Sequence, residues 1–158
     1  MPDRIYRFIN QFGSSGSGDG QFSFSGANYN GLNNCGIKAN ANFIFVADNG
    51  NSRVQIFNNS APYAYVGKFG SAGTGDGQFS GLQDLDIDGS HIYTLERANH
   101  RVQKFDINTY AFVAKSVLPA YEWNAITSDT GNIYVIGQLD IYTPAYSIMP
   151  KKIKTEKQ

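Results

Sequence analysis

The amino-acid sequence predicts an all-β fold assembled from repeated units of short antiparallel strands. Three observations predict it: a composition rich in turn formers, a glycine-rich loop that occurs twice, and an apolar-strand-and-polar-turn motif that also occurs twice. Seventeen glycines and 14% aromatic residues in 158 point to many short strands joined by tight turns, because glycine and asparagine tolerate the positive φ angles such turns need. A chain of this length fits one domain and can bury a real core without staples.

The repeats carry most of the information. Residues 12–22 read FGSSGSGDGQF and residues 69–79 read FGSAGTGDGQF, differing at two positions. Residues 43–57, FIFVADNGNSRVQIF, correspond to residues 91–105, HIYTLERANHRVQKF, with the carboxylate, the asparagine and the Arg-Val-Gln in register. A third, degenerate copy runs from 123–127 into 132–136, where the carboxylate position becomes Gly137 and no arginine follows. The copies lie 57 residues apart at the glycine loop and 48 at the arginine, so the first unit carries insertions, between Phe22 and Leu32 and between Lys38 and Phe43. Period and pattern fit one four-stranded propeller blade per repeat.

Short apolar runs bounded by turn residues place the strands. Inner strands are expected near 33–38, 84–88 and 123–127, and second strands near 43–48, 91–96 and 132–137. Third strands fall near 53–57, 101–106 and 139–142, and outer strands near 63–69 and 111–117. The segment 5–12 aligns with the outer strands because it runs into the same Phe-Gly-Ser loop. Residues 1–143 are thus read as propeller blades, with an outer strand 5–12, a blade 32–69, a blade 82–117 and a degenerate blade 123–143. Residues 144–158 are read as an arm and a solvated basic tail, with the apolar part of the arm, 141–149, packed on the propeller or a neighbouring subunit. Three blades cannot close a ring, and rings typically have four to eight. The expectation is a six-bladed ring made by two copies, each amino-terminal strand completing the other's last blade, or edges covered by a different protein.

The pattern FG-x-x-G-x-G-D-G-Q-F, followed by I-y-V-a-D-x-x-N-x-R-V-Q-x-F, resembles the NHL repeat over roughly residues 5–137. The resemblance implies that the carboxylate and arginine of each repeat pair within a blade, Asp48 with Arg53 and Glu96 with Arg101, as a structural clasp. Some proteins similar to this family are zinc-dependent lyases that need several converging histidines, and here only His91 and His100 are present. Others bind single-stranded RNA.

Thirteen basic and thirteen acidic residues cancel, which removes the strong positive field of a nucleic-acid or anionic-membrane binder. The single cysteine, Cys35, has no CxxC or Cys/His spacing around it, so an idle thiol is expected. Met1-Pro2-Asp3-Arg4 lacks a signal-peptide pattern and no apolar run reaches membrane-spanning length. A soluble protein is expected, cytoplasmic or part of a virion, with no membrane partner. The Gly-Asp-Gly triplets at 18–20 and 75–77 are read as turns rather than cation loops, since no second carboxylate lies close by. The clasp pairs are read as structural because a catalytic site does not need copying in each blade.

Since strands within a blade are antiparallel, the glycine loops and the turns 48–53 and 96–101 emerge at one end. That face is the candidate binding surface, with Phe24, Tyr29, Asn51, Arg53, Arg97, Arg101, Tyr121 and Trp123. No catalytic residue, metal ligand or cofactor is assigned. The sequence predicts a non-catalytic binding or assembly module for protein–protein interaction, acting with another copy of itself or another protein in a macromolecular assembly. The alternatives are a structural component of a viral or phage particle, and a single-stranded RNA-binding domain using the same face.

Overall fold

The computed structural model describes residues 8, 10–24, 35–120, 122–129, 131–138 and 151–154. In chain order the strands are β1 (Ser14–Ser15), β2 (Gln21–Phe22), β3 (Ile37–Ala39), β4 (Phe43–Asp48), β5 (Arg53–Asn58), β6 (Tyr65–Phe69), β7 (Leu82–Ile87), β8 (His91–Glu96), β9 (Arg101–Asp106), β10 (Phe112–Val117), β11 (Glu122–Asp129), β12 (Asn132–Gln138) and β13 (Lys151–Lys154). Three antiparallel sheets follow one another: β3-β4-β5-β6, then β7-β8-β9-β10, then β11-β12-β13. The short parallel pair β1-β2 closes the first glycine loop. Among the described residues no helix is long and apolar enough to cross a membrane.

Strands β4 and β8 are buried along almost their whole length rather than on alternate residues. The reason is that each sheet is covered on both faces, so both sets of alternating side chains must be apolar or satisfied. Phe45, Ala47, Val54 and Ile56 of the first sheet pack on Leu85, Ile92 and Phe105 of the second, with Phe79 and Leu82 at their edge. The opposite face of the second sheet, Tyr93, Leu95 and Val102, packs on Trp123, Ile126, Ile133 and Val135 of the third. The remaining face of the first sheet, Ile44, Val46 and Phe57, gathers Phe12, Phe22 and Phe24. The inner strand β7 lies beside β3 and β11, and this places the sheets side by side like blades around an axis.

The repeat is closer in space than in sequence. Among the described residues four non-glycine residues adopt positive φ, and they fall in two equivalent pairs: Ser52 and His100 before each arginine, Tyr63 and Tyr110 before each outer strand. Aromatic clusters match as well. Phe12 sits 4.8 Å from Phe57 and 5.5 Å from Tyr63, and Phe69 sits 4.9 Å from Phe105 and 5.5 Å from Tyr110. Phe12 therefore stands to the first sheet as Phe69, the last residue of β6, stands to the second.

The third strand of the last sheet is β13, which pairs with β12 through Tyr134–Lys152 and Ile133–Ile153, rather than 139–142, which lies outside the described residues. Part of the stretch expected to be a solvated tail is thus a strand. Its Lys-Lys-Ile-Lys composition hid it, because an edge strand tolerates lysine and needs few apolar residues. Half of the segment 5–12 also lies outside the described residues.

Gly36, just before β3, marks the closest approach between inner strands: a methyl group there would run into the Asp84 side chain and the Leu85 amide. Its backbone φ is ordinary, so the constraint is space rather than conformation. Replacing Gly36 with Ala is expected to cost about 1–3 kcal/mol, as overpacking does, in a urea titration.

Candidate functional site

The polar residues that recur in the repeats meet at the glycine loops. The Arg53 Nε donates to Asp48 Oδ2 at 2.8 Å, Nη1 donates to the Ser17 carbonyl at 2.9 Å, and Nη2 donates to the carbonyls of Gly18 and Gln21 at 2.7 and 2.9 Å. Arg101 repeats this: Nε to Glu96 Oε1 at 2.7 Å, Nη1 to Thr74 O at 2.8 Å, Nη2 to Gly75 O and Gln78 O at 2.9 and 2.7 Å. The arginine thus does more than fasten the turn between two strands. It ties the loop entering each sheet to that sheet's second and third strands.

Glutamine and asparagine complete the arrangement. The Gln55 amide donates to Gln21 O and Asp48 Oδ2, and its own carbonyl accepts from the Gly20 amide at 3.0 Å. Gln103 makes the same three bonds to Gln78, Glu96 and Gly77. Asn51 donates to Gly16 O and Asp48, and Asn99 donates to Gly73 O and Glu96. The carboxylates also accept loop amides, Ser23 on Asp48 and Ser80 on Glu96. Asp48 and Glu96 are fully buried, and the two arginines nearly so. A buried carboxylate is tolerable only when paired and hydrogen-bonded, and each of these accepts from three side chains and one backbone amide. The glycines set the loop shape: Gly13 and Gly70 take φ of 85° and 90°, and a Cβ on either would strike the ring of Phe22 or Phe79.

The triplet aspartates face outward and meet lysines of the following outer strand, Asp19 with Lys68 at 2.6 Å and Asp76 with Lys115 at 2.5 Å. Among the described residues no group of three His, Cys, Asp or Glu side chains is placed to hold a metal. Burial pushes the Cys35 thiol pKa up, aided by the carboxylates of Asp48 and Asp84, which disfavours the reactive thiolate.

A second polar layer joins the inner strands. Asp86 on β7 pairs with Lys38 of the first sheet at 3.2 Å and accepts from the amide and hydroxyl of Ser128 in the third. Asp84 accepts from the Ile126 amide at 2.9 Å, and burial pushes its carboxyl pKa up. Both carboxylates are therefore occupied by neighbouring strands.

Asp88 closes the turn between β7 and β8, accepting from the amides of Ser90 and His91 and from the Tyr93 hydroxyl, each at 2.7 Å. Burial works to raise its pKa, but these bonds outweigh it and hold the carboxyl below its ordinary 3.8. A depressed folded pKa means that the stabilisation is complete above the unfolded value and lost as pH falls through the folded one. The stability gap between the wild type and Asp88→Asn is expected to stay flat from neutrality to about pH 5 and to close below about pH 4, in denaturant titrations at stepped pH.

The structure sorts the candidate surface residues. Arg53, Arg101 and Asn51 belong to the clasps. Phe24 is half-buried and stacked on Phe22 at 5.4 Å. Arg97 is half-buried, its amide donating to Gly81 O at 2.8 Å. Tyr29 and Tyr121 lie outside the described residues. Trp123, read from sequence as a surface aromatic, is 2% exposed, in the core between the second and third sheets, its Nε1 donating to Pro119 O at 2.8 Å. It opposes Gly137 as Leu82 opposes Glu96, and so fills the first core position of its inner strand. The glycine loops and the turns at 48–53 and 96–101 do share one end of the sheets, as the arginine and asparagine bonds between them require. The exposed residues there are small, among them Ser17, Thr74 and Ala98.

Residues 34–153 match the family model DUF5128, described as a 6-bladed beta-propeller. The chain belongs to this six-bladed β-propeller family. Each four-stranded sheet is accordingly a propeller blade, and the third sheet is the beginning of another. No curated protein matches the chain in sequence. Among solved structures it is similar to a protein of Bacteroides fragilis described as exported, with a TM-score of 0.58 and 19% identity over 92% of this chain and 43% of that one. It is also similar to the glutaminyl cyclase of Myxococcus xanthus, with a TM-score of 0.52 and 16% identity over 79% of this chain and 57% of that one. The propeller chain thus spans about half the length of these two proteins, and at such identities the likeness is one of fold.

Proposed function

We propose that these blades are an NHL-type scaffold, a non-catalytic binding or assembly module that presents its glycine-loop face to another macromolecule. The observation that carries this reading is the duplication of the clasp: the arginine, carboxylate, glutamine and asparagine that would otherwise suggest chemistry are buried twice in the same geometry and spent on loop carbonyls and amides. Residues with the same structural duty in two successive blades are poor candidates for a reaction that needs one site. The fold alone does not decide the matter, since the Myxococcus neighbour is named as an enzyme and one fold hosts many functions. What supports binding is a rigid loop face with exposed small residues.

The test is photo-crosslinking in the native host, with a photoreactive residue at Thr74 or Ala98 on the loop face and, as a control, at Val113 on the outer strand. Cross-links to a protein partner from the first two positions and none from the third are expected. Adducts removed by ribonuclease would favour the RNA-binding alternative, and equal labelling of all three positions would contradict a loop-face site.

A further inference from the structure

We propose that Asn49-Gly50 is a latent deamidation site, a succinimide-forming pair that the first glycine loop holds shut and whose conversion to aspartate or isoaspartate releases that loop. The proposal goes beyond the binding reading and needs only the clasp geometry. An asparagine followed by glycine closes this ring readily, because glycine sets no side chain against the attacking nitrogen. The chain has two such pairs, Asn30-Gly31 and Asn49-Gly50. The first lies outside the described residues, and the second sits inside the clasp, between Asp48 and Asn51.

The packing requires glycine there. A Cβ on Gly50 would run into the carbonyl and hydroxyl oxygens of Ser23, where the loop leaves the first blade. The second blade resolves the same crowding from the other side: its glycine is on the loop, Gly81, where a Cβ would strike Ala98 of the turn. Of the two clasped turns only the first therefore carries the labile pair. The same closeness locks it. The Gly50 amide donates to Ser23 O at 2.8 Å, and the Ser23 amide donates to Asp48 Oδ1 at 2.8 Å. Asn49 begins a 3-10 turn, Asn49–Asn51, closed by the Ser52 amide on Asn49 O at 3.1 Å, and its Oδ1 is sealed from solvent. Ring closure needs the Gly50 nitrogen to lose its proton and reach Asn49 Cγ, so the bond to Ser23 must break and Asn49 must leave its helical ψ. In that step the N–Cγ bond forms, the Cγ–Nδ2 bond breaks and ammonia leaves. Water then adds to one of the two imide carbonyls, which gives aspartate or isoaspartate.

Neither product fits the closed turn. An ionised carboxylate at position 49 would stand beside the fully buried Asp48, whose cation, Arg53, is already bonded to Asp48 and three loop carbonyls. Like charge and desolvation both oppose it. Isoaspartate also adds a carbon to the main chain and so displaces the Gly50 amide from Ser23. Opening permits conversion, and conversion prevents closing.

Tryptic mapping of aged protein reads conversion at Asn49 separately from Asn30, which falls in another peptide. At neutral pH the native protein is expected to convert Asn49 at least ~100-fold more slowly than the urea-unfolded chain, since only the opened fraction reacts. Asn51→Ala, which removes bonds to Gly16 O and Asp48, should speed native conversion roughly 10-fold with Trp123 emission unchanged. Asn49→Asp, one of the products, should speed hydrogen exchange of the Gly20 and Ser23 amides at least ~10-fold and leave the equivalent Gly77 and Ser80 amides of the second blade as they were. If that variant misfolds, wild type converted in urea and refolded carries the same measurement. Equal conversion rates in the native and unfolded chains would overturn the lock, and unchanged exchange at Gly20 and Ser23 would overturn the release. Neither result bears on the crosslinking experiment, which asks what the loop face touches.

Discussion

Replacing Arg101 with Ala is expected to destabilise the protein by about 3–5 kcal/mol, the cost of leaving a buried carboxylate without its partner. The loss has two sources. Glu96 would keep its Gln103, Asn99 and Ser80 bonds but no cation, in a site with no access to water. The carbonyls of Thr74 and Gly75 would lose the donors that fix the glycine loop, and that of Gln78 would keep only its Gln103 bond; a lost hydrogen bond to a charged group costs about 1.5–3 kcal/mol. Lysine cannot replace the guanidinium fork, because one ammonium cannot reach the carboxylate and three carbonyls together. Arg101→Lys is therefore expected to recover less than half of the loss. Arg101→Met combined with Glu96→Leu should be less destabilised than Arg101→Ala alone, since removing both charges avoids the stranded carboxylate. Urea titrations of the four proteins measure all of this, and a loss of under about 1 kcal/mol for Arg101→Ala, the range of a surface ion pair, would refute a buried clasp.

Trp123→Ala is the second large effect, expected at about 3–5 kcal/mol for an aromatic side chain removed from a packed core. Trp123 fills the position of Leu82 and meets Leu95, Val102 and Ile133. Trp123→Phe should retain most of the packing and lose the Nε1 bond to Pro119, a difference of roughly 1 kcal/mol. As the chain's sole tryptophan it also reports directly: its emission should be blue-shifted in the folded protein and poorly quenched by acrylamide. Near-free quenching would contradict its burial.

Trp123 also shows where the sequence could be read and where it was misread. Strand positions and blade order followed from two motifs repeated in register, and the pairing of Asp48 with Arg53 and Glu96 with Arg101 from the resemblance to the NHL repeat. On sequence alone Trp123 falls on the candidate binding face, whereas its alignment with Leu82 places it in the core. The glutamine of each Arg-Val-Gln was visible in register, yet its three bonds to loop and carboxylate depend on the loop folding back, which spacing does not reveal. The Asp86 contacts to Lys38 and Ser128 join blades that no repeat alignment connects. Strand β13 was hidden because lysines at an edge carry neither alternation nor apolar weight.

The glycine loops are parts of the scaffold, locked by buried side chains. Amide hydrogen exchange of the native protein tests this most directly. The amides of Gly20, Ser23, Gly77 and Ser80 donate to Gln55, Asp48, Gln103 and Glu96, side chains with no water access, and a loop that opens only with the fold exchanges as slowly as its core. Protection of these four amides is expected to be close to that of the central strands β4 and β8. Exchange at the rate of an open surface loop, with the strands still protected, would contradict it.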